Sequence, residues 1–394
     1  MTEVVIAGTG QTAVGEHWET SLRELAHFAM QAAMQDAGGL RPQALFVGNM
    51  LAPNLSRQAH LGALLADFAG LGFGESQPGP GIEAATIEAA GASGGAALRQ
   101  GYLAIVSGAV DVALVAGVEK FTDTLGPGIE AALATTSDSD FEAVQGMTPT
   151  AQAALMMRRY LHEFNVPADG LAGFALIAHA NGASNKNAMF QKAIKLETYQ
   201  KAEMVSEPIN MFDMAPNADG AAALVLTRRE LLPTGFSHPL VRIAGSASAS
   251  DRLALHDRRD PLWFEAAQLS TGKALKQAGI TLDQISLFEY HDAYSIYAAL
   301  SIEAVGFARR GQGWKLAQDG VIALNGKIPC ATMGGLKARG NPGGATGVYQ
   351  AVEAATQLRG QAGANQIAGA QFALIQSLGG PASTAVSHIL EATA

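Results

Sequence analysis

Cysteine is nearly absent from this sequence: Cys330 is the single one among 394 residues. One cysteine cannot form a disulfide within the chain, and it cannot build a cysteine-based zinc site. The nine histidines are scattered, without the HxH or HExxH spacing of common metal sites. A disulfide scaffold is therefore excluded, and a metal site has no support.

Charge is also scarce, because Asp, Glu, Lys and Arg make up 15% of the residues, with a net charge of −9. Without a run of basic residues, the chain lacks the electrostatic footprint of nucleic-acid binding. No apolar run reaches the length of a transmembrane helix, and residues 1–10 lack the basic and apolar regions of a signal peptide. We expect a cytoplasmic protein that binds neither nucleic acid nor membrane.

Small and apolar residues are abundant, with 45 glycines and 48% hydrophobic residues. Disordered chains are rich in charge and poor in apolar residues, so this chain is expected to fold. Its length and hydrophobic content suffice for a large core and exceed the usual size of one compact domain. We expect two or more closely packed units of the α/β class.

Short apolar runs alternate with helical segments near both ends of the chain, a pattern typical of crossover helices on a parallel or mixed sheet. A capping box at Ser21 and Glu24 begins a helix that we expect to end near Asp36. The predicted strands are residues 4–7, 44–47, 82–89, 112–116, 221–227, 241–244, 285–290 and 373–376. We expect the strand at 373–376 to be the last in the chain. Further helices are predicted at residues 59–69, 91–107 and 260–278, and another begins at about residue 293.

Two stretches interrupt this alternation. Residues from about 120 to 210 are richer in helix formers and polar residues, which predicts a helical insertion that covers a site. Residues 231–239 contain two prolines and a glycine and form the best linker. We therefore divide the chain into residues 1–235, with the insertion, and residues 236–394. The halves repeat one architecture, in which the helix beginning at Gly91 corresponds to the one beginning near His291.

Gly8-Thr9-Gly10 follows the first predicted strand and raises the question of a dinucleotide site. That fingerprint requires a helix to begin at once and an acidic residue after the next strand. Here the helix waits until about Leu22, and the next strand is followed by Gly48-Asn49. We interpret the two glycines as a turn after the first strand.

Small residues at positions 91–95 (Gly-Ala-Ser-Gly-Gly) mark a junction into a helix. The first N–H groups of a helix are unpaired and can form half of an oxyanion hole. Close packing between helices or against a sheet would require the same small residues. These residues alone do not decide between the two interpretations.

His291 and Tyr294 lie where a predicted strand meets a helix in the second half. A histidine at the carboxyl end of a strand suits a polarising or acid/base role, although a lone histidine is more often structural. Residues 334–347 are dense in glycine, which indicates backbone held close to a ligand or another chain. Residues 377–380 (Ser-Leu-Gly-Gly) form a similar glycine turn after the last predicted strand.

Together, and in this order, these segments resemble the thiolase superfamily, in particular its sterol-carrier-protein-type and archaeal branch. Residues 88–97 resemble the motif of the nucleophilic cysteine, and residues 291–294 (His-Asp-Ala-Tyr) resemble its HDCF or HDAF motif. Residues 334–347 resemble GGL…GHPxGATG, and residues 377–380 its final glycine turn. The resemblance covers essentially the whole chain.

The resemblance implies a five-layered αβαβα fold built from two pseudo-repeated halves, with a loop domain over the pantetheine channel. It also implies acyl-CoA or 3-ketoacyl-CoA thioesters as ligands, with no covalently bound cofactor. A homodimer or homotetramer is expected, and members of this branch often work with a small OB-fold zinc-ribbon partner protein.

Several motif positions depart from the family. The position of the nucleophilic cysteine is Gly91, which cannot form a thioester. The histidine of GHP is Asn341, and the second cysteine is replaced by Ala293 or Ser377. Cys330 lies in a segment that the family uses as a strand, and we expect it to be a small buried thiol.

The resemblance leaves a partial apparatus of site residues. The candidate catalytic residues are Gly91, His291, Tyr294, Asn341 and Gly379. The candidate CoA contacts are Ser248, Ser250, Ala293 and Gly343. This set could polarise a thioester carbonyl and assist C–C chemistry that needs no acyl-enzyme. Thiolase-like steroid aldolases also lack the cysteine, but they carry a tyrosine-containing motif at the place of His291.

Three functions remain open from the sequence. The first is cysteine-independent carbon–carbon bond or acyl-group chemistry on CoA thioesters. The second is a non-catalytic acyl-CoA-binding or assembly subunit of a complex. The third is an ordinary acetyl-CoA C-acyltransferase, against which the missing cysteine argues.

Overall fold

The computed structural model describes residues 2–72 and 81–393. Within these ranges it contains eleven strands and thirteen α-helices. The strands are β1 (Val4–Gln11), β2 (Ala44–Gly48), β3 (Glu83–Ile87), β4 (Val112–Glu119), β5 (Met204–Ser206), β6 (Ile209–Asn210), β7 (Gly220–Arg228), β8 (Leu240–Ser250), β9 (Leu287–Glu289), β10 (Phe372–Gly379) and β11 (Thr384–Thr393). The helices are α1 (Leu22–Asp36), α2 (Ala52–Leu55), α3 (Leu61–Phe68), α4 (Ser93–Val106), α5 (Pro127–Ala134), α6 (Pro149–Glu163), α7 (Ala172–Gly182), α8 (Leu196–Gln200), α9 (Glu265–Ala278), α10 (Ser295–Val305), α11 (Gly313–Gln318), α12 (Gly335–Arg339) and α13 (Thr346–Leu358).

Nine strands form one mixed sheet in the order β3-β2-β4-β7-β1-β8-β11-β10-β9. The two halves join where β1 meets β8, through the pair Val5 and Arg242. Outward from this seam, β1-β7-β4-β2-β3 in the first half is mirrored by β8-β11-β10-β9 in the second. The parallel bridge between Phe288 and Cys330 occupies the place of β3 in the second half. The predicted repeat of one architecture is therefore confirmed.

Three buried clusters lie between five layers. In the first half, α1 and α3 pack on the outer face of the sheet. The helices α4 and α13 pack against each other between the two halves of the sheet. On the far side, α9 and α10 cover the second half. This αβαβα arrangement agrees with the predicted fold.

The predicted counterpart of α4 is wrong. α4 begins after β3 and enters the central layer, and the helix that packs beside it is α13, not α10. α10 instead packs against α9 and the helices of the insertion. The error arose because the motif around His291 precedes α10 in sequence, whereas the equivalent central helix follows the glycine-rich loop.

The structure corrects two boundaries of the strands. Gly8 and Gly10 lie inside β1 and form no turn. A Cβ at Gly8 would lie 2.1 Å from the Ala33 carbonyl oxygen, and a Cβ at Gly10 would be similarly close to α1. The two glycines therefore allow α1 to pack directly against the backbone of β1. The sheet also does not end with β10, because β11 follows and pairs with it along its length. The capping box at Ser21 and Glu24 is present as predicted.

The predicted helical insertion is observed. Between β4 and β7 the chain forms α5 to α8 and the small hairpin β5-β6. Met156, Tyr160 and Phe174 of this insertion are buried against the second half, which fixes the insertion over the ends of the strands.

Candidate active site

Gly91 lies in the short turn Ala90–Ala92 that leads into α4. Ala90 has a φ of 50°, which non-glycine residues rarely adopt. Ser93 closes the turn, since its Oγ donates to the Ala90 carbonyl at 2.6 Å and accepts from the Ala89 N–H at 2.9 Å. The N–H of Ala90 donates to Glu88 Oε1, and those of Ala92 and Ser93 donate to carbonyls within the turn. The Gly91 N–H is therefore the backbone donor that this turn can offer to a ligand.

The space beside Gly91 is closed. A Cβ placed at this position would lie 2.7 Å from the Leu378 carbonyl oxygen and 2.9 Å from His291 Cε1. Real Cβ atoms do not approach this closely, so the neighbours would have to move for any side chain at position 91. Gly91 and the imidazole of His291 are therefore adjacent, and the site is packed around a glycine.

His291 follows β9 and is 5% exposed. Burial lowers the pKa of His291 to about 3, and the charge of nearby Arg339 acts in the same direction. Its Nδ1 has no hydrogen-bond partner among the described residues. A neutral imidazole donates one hydrogen bond and accepts one, so His291 is suited to polarise a ligand oxygen without carrying charge.

Asp292 fastens the His291 segment to the glycine-rich loop. Its Oδ1 accepts from the Leu336 N–H at 2.7 Å, in the first turn of α12. Gly335 has a φ of 53°, and a Cβ there would lie 2.6 Å from Asp292 Oδ2. The glycine thus allows the backbone to approach the buried carboxylate.

Asn341 lies between α12 and α13. Its N–H donates to the Pro216 carbonyl at 2.9 Å, and Thr346 Oγ1 donates to its Oδ1 at 3.1 Å. Since the amide oxygen is occupied, the NH₂ group remains available to a ligand. Asn341 is therefore a hydrogen-bond donor in the site.

A cavity of about 80 Å³ brings most of the predicted site residues together. Those that line it are Gly91, His291, Ala293, Tyr294, Asn341 and Gly343. The hydroxyl of Tyr294 lies 2.9 Å from Thr150 Oγ1, and burial raises the pKa of Tyr294 to about 12. The phenol is therefore protonated at neutral pH.

Three predicted residues lie elsewhere. Gly379 is not part of the described lining, although its neighbours Leu378 and Gly380 are. Ser248 and Ser250 lie on β8 with exposed side chains, outside the cavity lining that the structure describes. The geometry thus gives no contact between these two serines and the other site residues.

Sequence reasoning missed Glu130, which lines the cavity from α5. It is the one carboxylate among the described lining residues, and its charge raises the pKa of Tyr294. Thr150 at the start of α6 was missed as well. No motif surrounds either residue, so only the folding of the insertion over the site reveals them.

Glu119 at the end of β4 holds two walls of the cavity in place. This fully buried carboxylate accepts from the N–H groups of Met50 at 2.9 Å, Leu51 at 3.1 Å and Gly344 at 3.0 Å, and from Asn49 Nδ2 at 2.9 Å. Four donors on one side chain satisfy its buried oxygens and fix the loops that carry them. Burial outweighs these hydrogen bonds and raises the pKa of Glu119 to about 7.

Cys330 is fully buried, and its Sγ contacts the Ile328 carbonyl at 3.2 Å. Burial raises the pKa of this thiol well above its ordinary value. It lies outside the described cavity lining, as expected for a small buried thiol.

Among residues 2–72 and 81–393, no group of three or more His, Cys, Asp or Glu side chains is arranged to hold a metal ion. In the same ranges, no helix combines the length and apolar character required to cross a bilayer.

The comparisons with known proteins agree with this geometry. The family described as "Thiolase, N-terminal domain" matches residues 4–230, and "Thiolase C-terminal domain-like" matches residues 247–392. An acetyl-CoA acetyltransferase from Methanothermobacter thermautotrophicus is 40% identical over 391 residues, covering 99% of each chain. The benzoylsuccinyl-CoA thiolase subunit BbsB from Thauera aromatica is 28% identical over 370 residues, covering 93% of this chain and 91% of its own.

Among solved structures, the one described as Ltp2-ChsH2(DUF35) aldolase superposes with a TM-score of 0.81 and 23% identity, covering 99% of this chain and 98% of its own. At this identity the likeness establishes the fold. The family matches span both halves of the chain, and together with the nine-stranded sheet they show that this protein belongs to the thiolase family.

Proposed function

We propose that this protein acts on CoA thioesters and breaks or forms a carbon–carbon bond without an acyl-enzyme intermediate. The observation that carries the proposal is Gly91, at the position where the family resemblance places the nucleophilic cysteine. The space that a side chain would need there is closed by Leu378 and His291. The buried Cys330 offers no substitute, since it lies outside the described cavity lining.

The ligand class follows from the family and from the size of the cavity. The relatives' names contain acetyl-CoA and benzoylsuccinyl-CoA. A cavity of about 80 Å³ fits only the reacting end of such a ligand, below the roughly 300–1,000 Å³ of a whole-ligand pocket. The remainder of the CoA ester would extend outward under α5 and α6, which line the cavity with Glu130 and Thr150.

An aldol-type cleavage fits the groups present. In this step, the carboxylate of Glu130 takes the proton of a 3-hydroxyl group, and the bond between C2 and C3 breaks. C3 becomes the carbonyl carbon of a released aldehyde or ketone. The electron pair of the broken bond passes into the thioester as an enolate, and the proton then adds to C2. The products are a shortened acyl-CoA and a carbonyl compound, and no other reactant is needed.

The enolate oxygen must be stabilised by hydrogen-bond donors that already point toward it, so that the site does not have to rearrange during the reaction. We assign this role to His291 and the Asn341 amide, with the Gly91 N–H beside them. With its pKa near 3, His291 is a poor proton acceptor, so we assign the base role to Glu130.

The test is chromatography of CoA species after incubation with 3-hydroxyoctanoyl-CoA. We expect acetyl-CoA and hexanal from the wild-type protein. The substitution Glu130→Gln should lower turnover by about 10²–10⁴-fold, and His291→Ala by about 10²–10³-fold. Asp140→Asn serves as the matched control, because Asp140 is an exposed acidic residue of the insertion outside the described cavity lining. Equal loss in the control would remove Glu130 from the mechanism.

An ordinary acetyl-CoA C-acyltransferase is the second candidate, favoured by the 40% identity to the archaeal acetyltransferase. Incubation with acetoacetyl-CoA and free CoA distinguishes the two. Formation of acetyl-CoA together with an acylated protein in the mass spectrum would overturn the cysteine-independent proposal. Absence of turnover in both assays would leave the non-catalytic acyl-CoA-binding subunit as the function.

We also propose that the protein works with a partner subunit of the OB-fold zinc-ribbon class. The names of two similar proteins support this, since one is a thiolase subunit and the other is an assembly of Ltp2 with ChsH2(DUF35). Co-purification of such a protein with the tagged chain, and stimulation of the assays above by it, tests the proposal.

A further inference from the structure

A second concave surface lies behind the wall of the candidate active site. It is a groove of about 410 Å³, within the size range of small-molecule sites. Six apolar side chains and three nitrogen-bearing ones form it: Phe190, Ile194, Met211, Phe212, Met214, Pro216, His179, Lys192 and Lys337.

One extended segment separates the groove from the cavity. Pro216 lines the groove, Ala215 and Asn217 line the cavity, and Met214 lines both. The segment also bridges to Tyr294 on one side and Asn341 on the other. A ligand in the groove therefore contacts the wall that carries two site residues.

Lys337 is the unusual residue of the groove, since it is 1% exposed. Its Nζ donates to the Asp213 carbonyl at 2.6 Å. In the described part of the chain, no carboxylate lies within ion-pair distance of this ammonium. Burial lowers the pKa of Lys337 to about 8 against the opposing charges of Asp292 and Asp213, so it remains largely protonated at neutral pH.

The rim of the groove adds positive charge to an otherwise acidic protein. Lys192 lines the groove and is exposed, and Lys186 and Lys195 are exposed on either side of it in sequence, whereas the whole chain carries −9. His179 Nδ1 is buried and has no partner among the described residues. Apolar walls with a buried cation and a basic rim favour a ligand that is apolar along its length and anionic at one end.

We infer that this groove binds an apolar carboxylate, with its chain against Phe190, Met211 and Met214 and its carboxylate at Lys337. The inference does not depend on the chemistry proposed for the cavity at His291. It assigns the protein a second ligand site, which is separated from the first by residues 214–217.

Isothermal titration of the full-length protein with octanoate and with 1-octanol tests this inference. We expect octanoate to bind at least tenfold more tightly than the uncharged alcohol. Lys337→Met should weaken octanoate binding at least tenfold and leave octanol binding unchanged. Equal affinities of octanoate and octanol, or no effect of Lys337→Met on octanoate binding, would overturn the inference.

A surface variant keeps the test valid if Lys337→Met fails to fold. Met211 is 53% exposed and lines the groove, whereas Met204 is 54% exposed and lies outside its described lining. Met211→Glu should repel octanoate and weaken its binding at least tenfold, and Met204→Glu should not. Equal weakening in both variants would place the ligand elsewhere and refute the site.

The carboxylate could be a free acid or the far end of an acyl group attached to CoA. Competition separates the two sources. Displacement of octanoate by suberoyl-CoA but not by octanoyl-CoA would assign the groove to CoA-linked diacids. Displacement by neither would assign it to free carboxylates, and both results support the site.

Discussion

At the scale of single residues, the proposed chemistry depends on Gly91, which the family resemblance places at the position of the nucleophile. Leu378 and His291 occupy the space that a side chain at position 91 would need, so the site is packed around a glycine. Adding a side chain there would disturb the imidazole on which the proposed function depends.

We therefore expect Gly91→Ala to destabilise the protein by about 1–3 kcal/mol, the usual cost of overpacking, and to lower turnover. Gly272→Ala is the matched control, because nothing lies within 4 Å of a Cβ at this position in α9. The control should gain about 1 kcal/mol from helix propensity. Urea unfolding measures both changes, and a Gly91→Ala protein as stable as its parent would show that the site is not closed.

His291 makes stability depend on pH. Its pKa is 6.5 when exposed and about 3 in the folded state, so below pH 6.5 the unfolded chain binds a proton that the folded chain does not. Stability is therefore complete above pH 6.5 and falls as the pH drops toward 3. At pH 5 the loss from His291 alone is about 2 kcal/mol.

The variant His291→Asn should remove this contribution. The decrease in the free energy of unfolding between pH 7 and pH 5 should become smaller by about 2 kcal/mol. The buried His388, whose pKa burial lowers to about 4, contributes equally in both proteins and cancels. His256→Asn, at an exposed position, should leave the pH dependence as in the parent. An unchanged decrease in His291→Asn would mean that His291 is charged in the folded protein.

At the scale of elements, local patterns predicted most strands and helices, and tertiary packing accounts for what they missed. Glycine usually ends a strand, but Gly8 and Gly10 sit inside β1 because α1 approaches its backbone. The motif residues His291 and Asn341 were identified from the family pattern. Glu130 was not, since its role in the site depends on how the insertion folds back over the cavity.

The loops around the cavity depend on Glu119, which connects residues 49–51 to the glycine-rich loop. In Glu119→Gln, one acceptor oxygen becomes an NH₂ group that faces N–H donors. We expect a loss of about 1–3 kcal/mol, because buried N–H donors that met a carboxyl oxygen are left unsatisfied. Glu203→Gln, at an exposed position, should change stability by less than about 0.5 kcal/mol. Urea unfolding of the two variants measures the difference, and equal stabilities would show that Glu119 does not hold the loops.

At the scale of the molecule, the site exists only where the parts of the chain meet. Gly91 comes from the first half, His291 and Asn341 from the second, and Glu130 from the insertion. We propose that the halves divide at residues 235 and 236, which is supported by family matches that end at residue 230 and begin again at residue 247. Neither half alone would then contain a complete set of donors and base.

The outer strand of the first half is the feature that bears on assembly. β3 pairs with β2 on one side, and among residues 2–72 and 81–393 no strand pairs with its other side. An unpaired edge is a template for pairing with another chain, and a second copy related by a two-fold axis would supply it. Because β3 leads directly into the turn at Gly91, such pairing would also support the active site. We therefore propose a homodimer, or a homotetramer built from it, joined at this edge.

A lysine on this edge should disrupt the assembly. Thr86 is exposed on β3, and Thr86→Lys would place a charge where two copies meet, as natural edge strands do to prevent pairing. Light scattering on a sizing column should give at least twice 40.7 kDa for the parent and 40.7 kDa for the variant. Leu269→Lys, at a position 43% exposed on α9, is the matched control and should keep the mass of the parent. If the parent elutes as a monomer, no second copy pairs with β3 and the proposed homodimer is wrong. The turn at Gly91 would then be held by contacts within one chain alone.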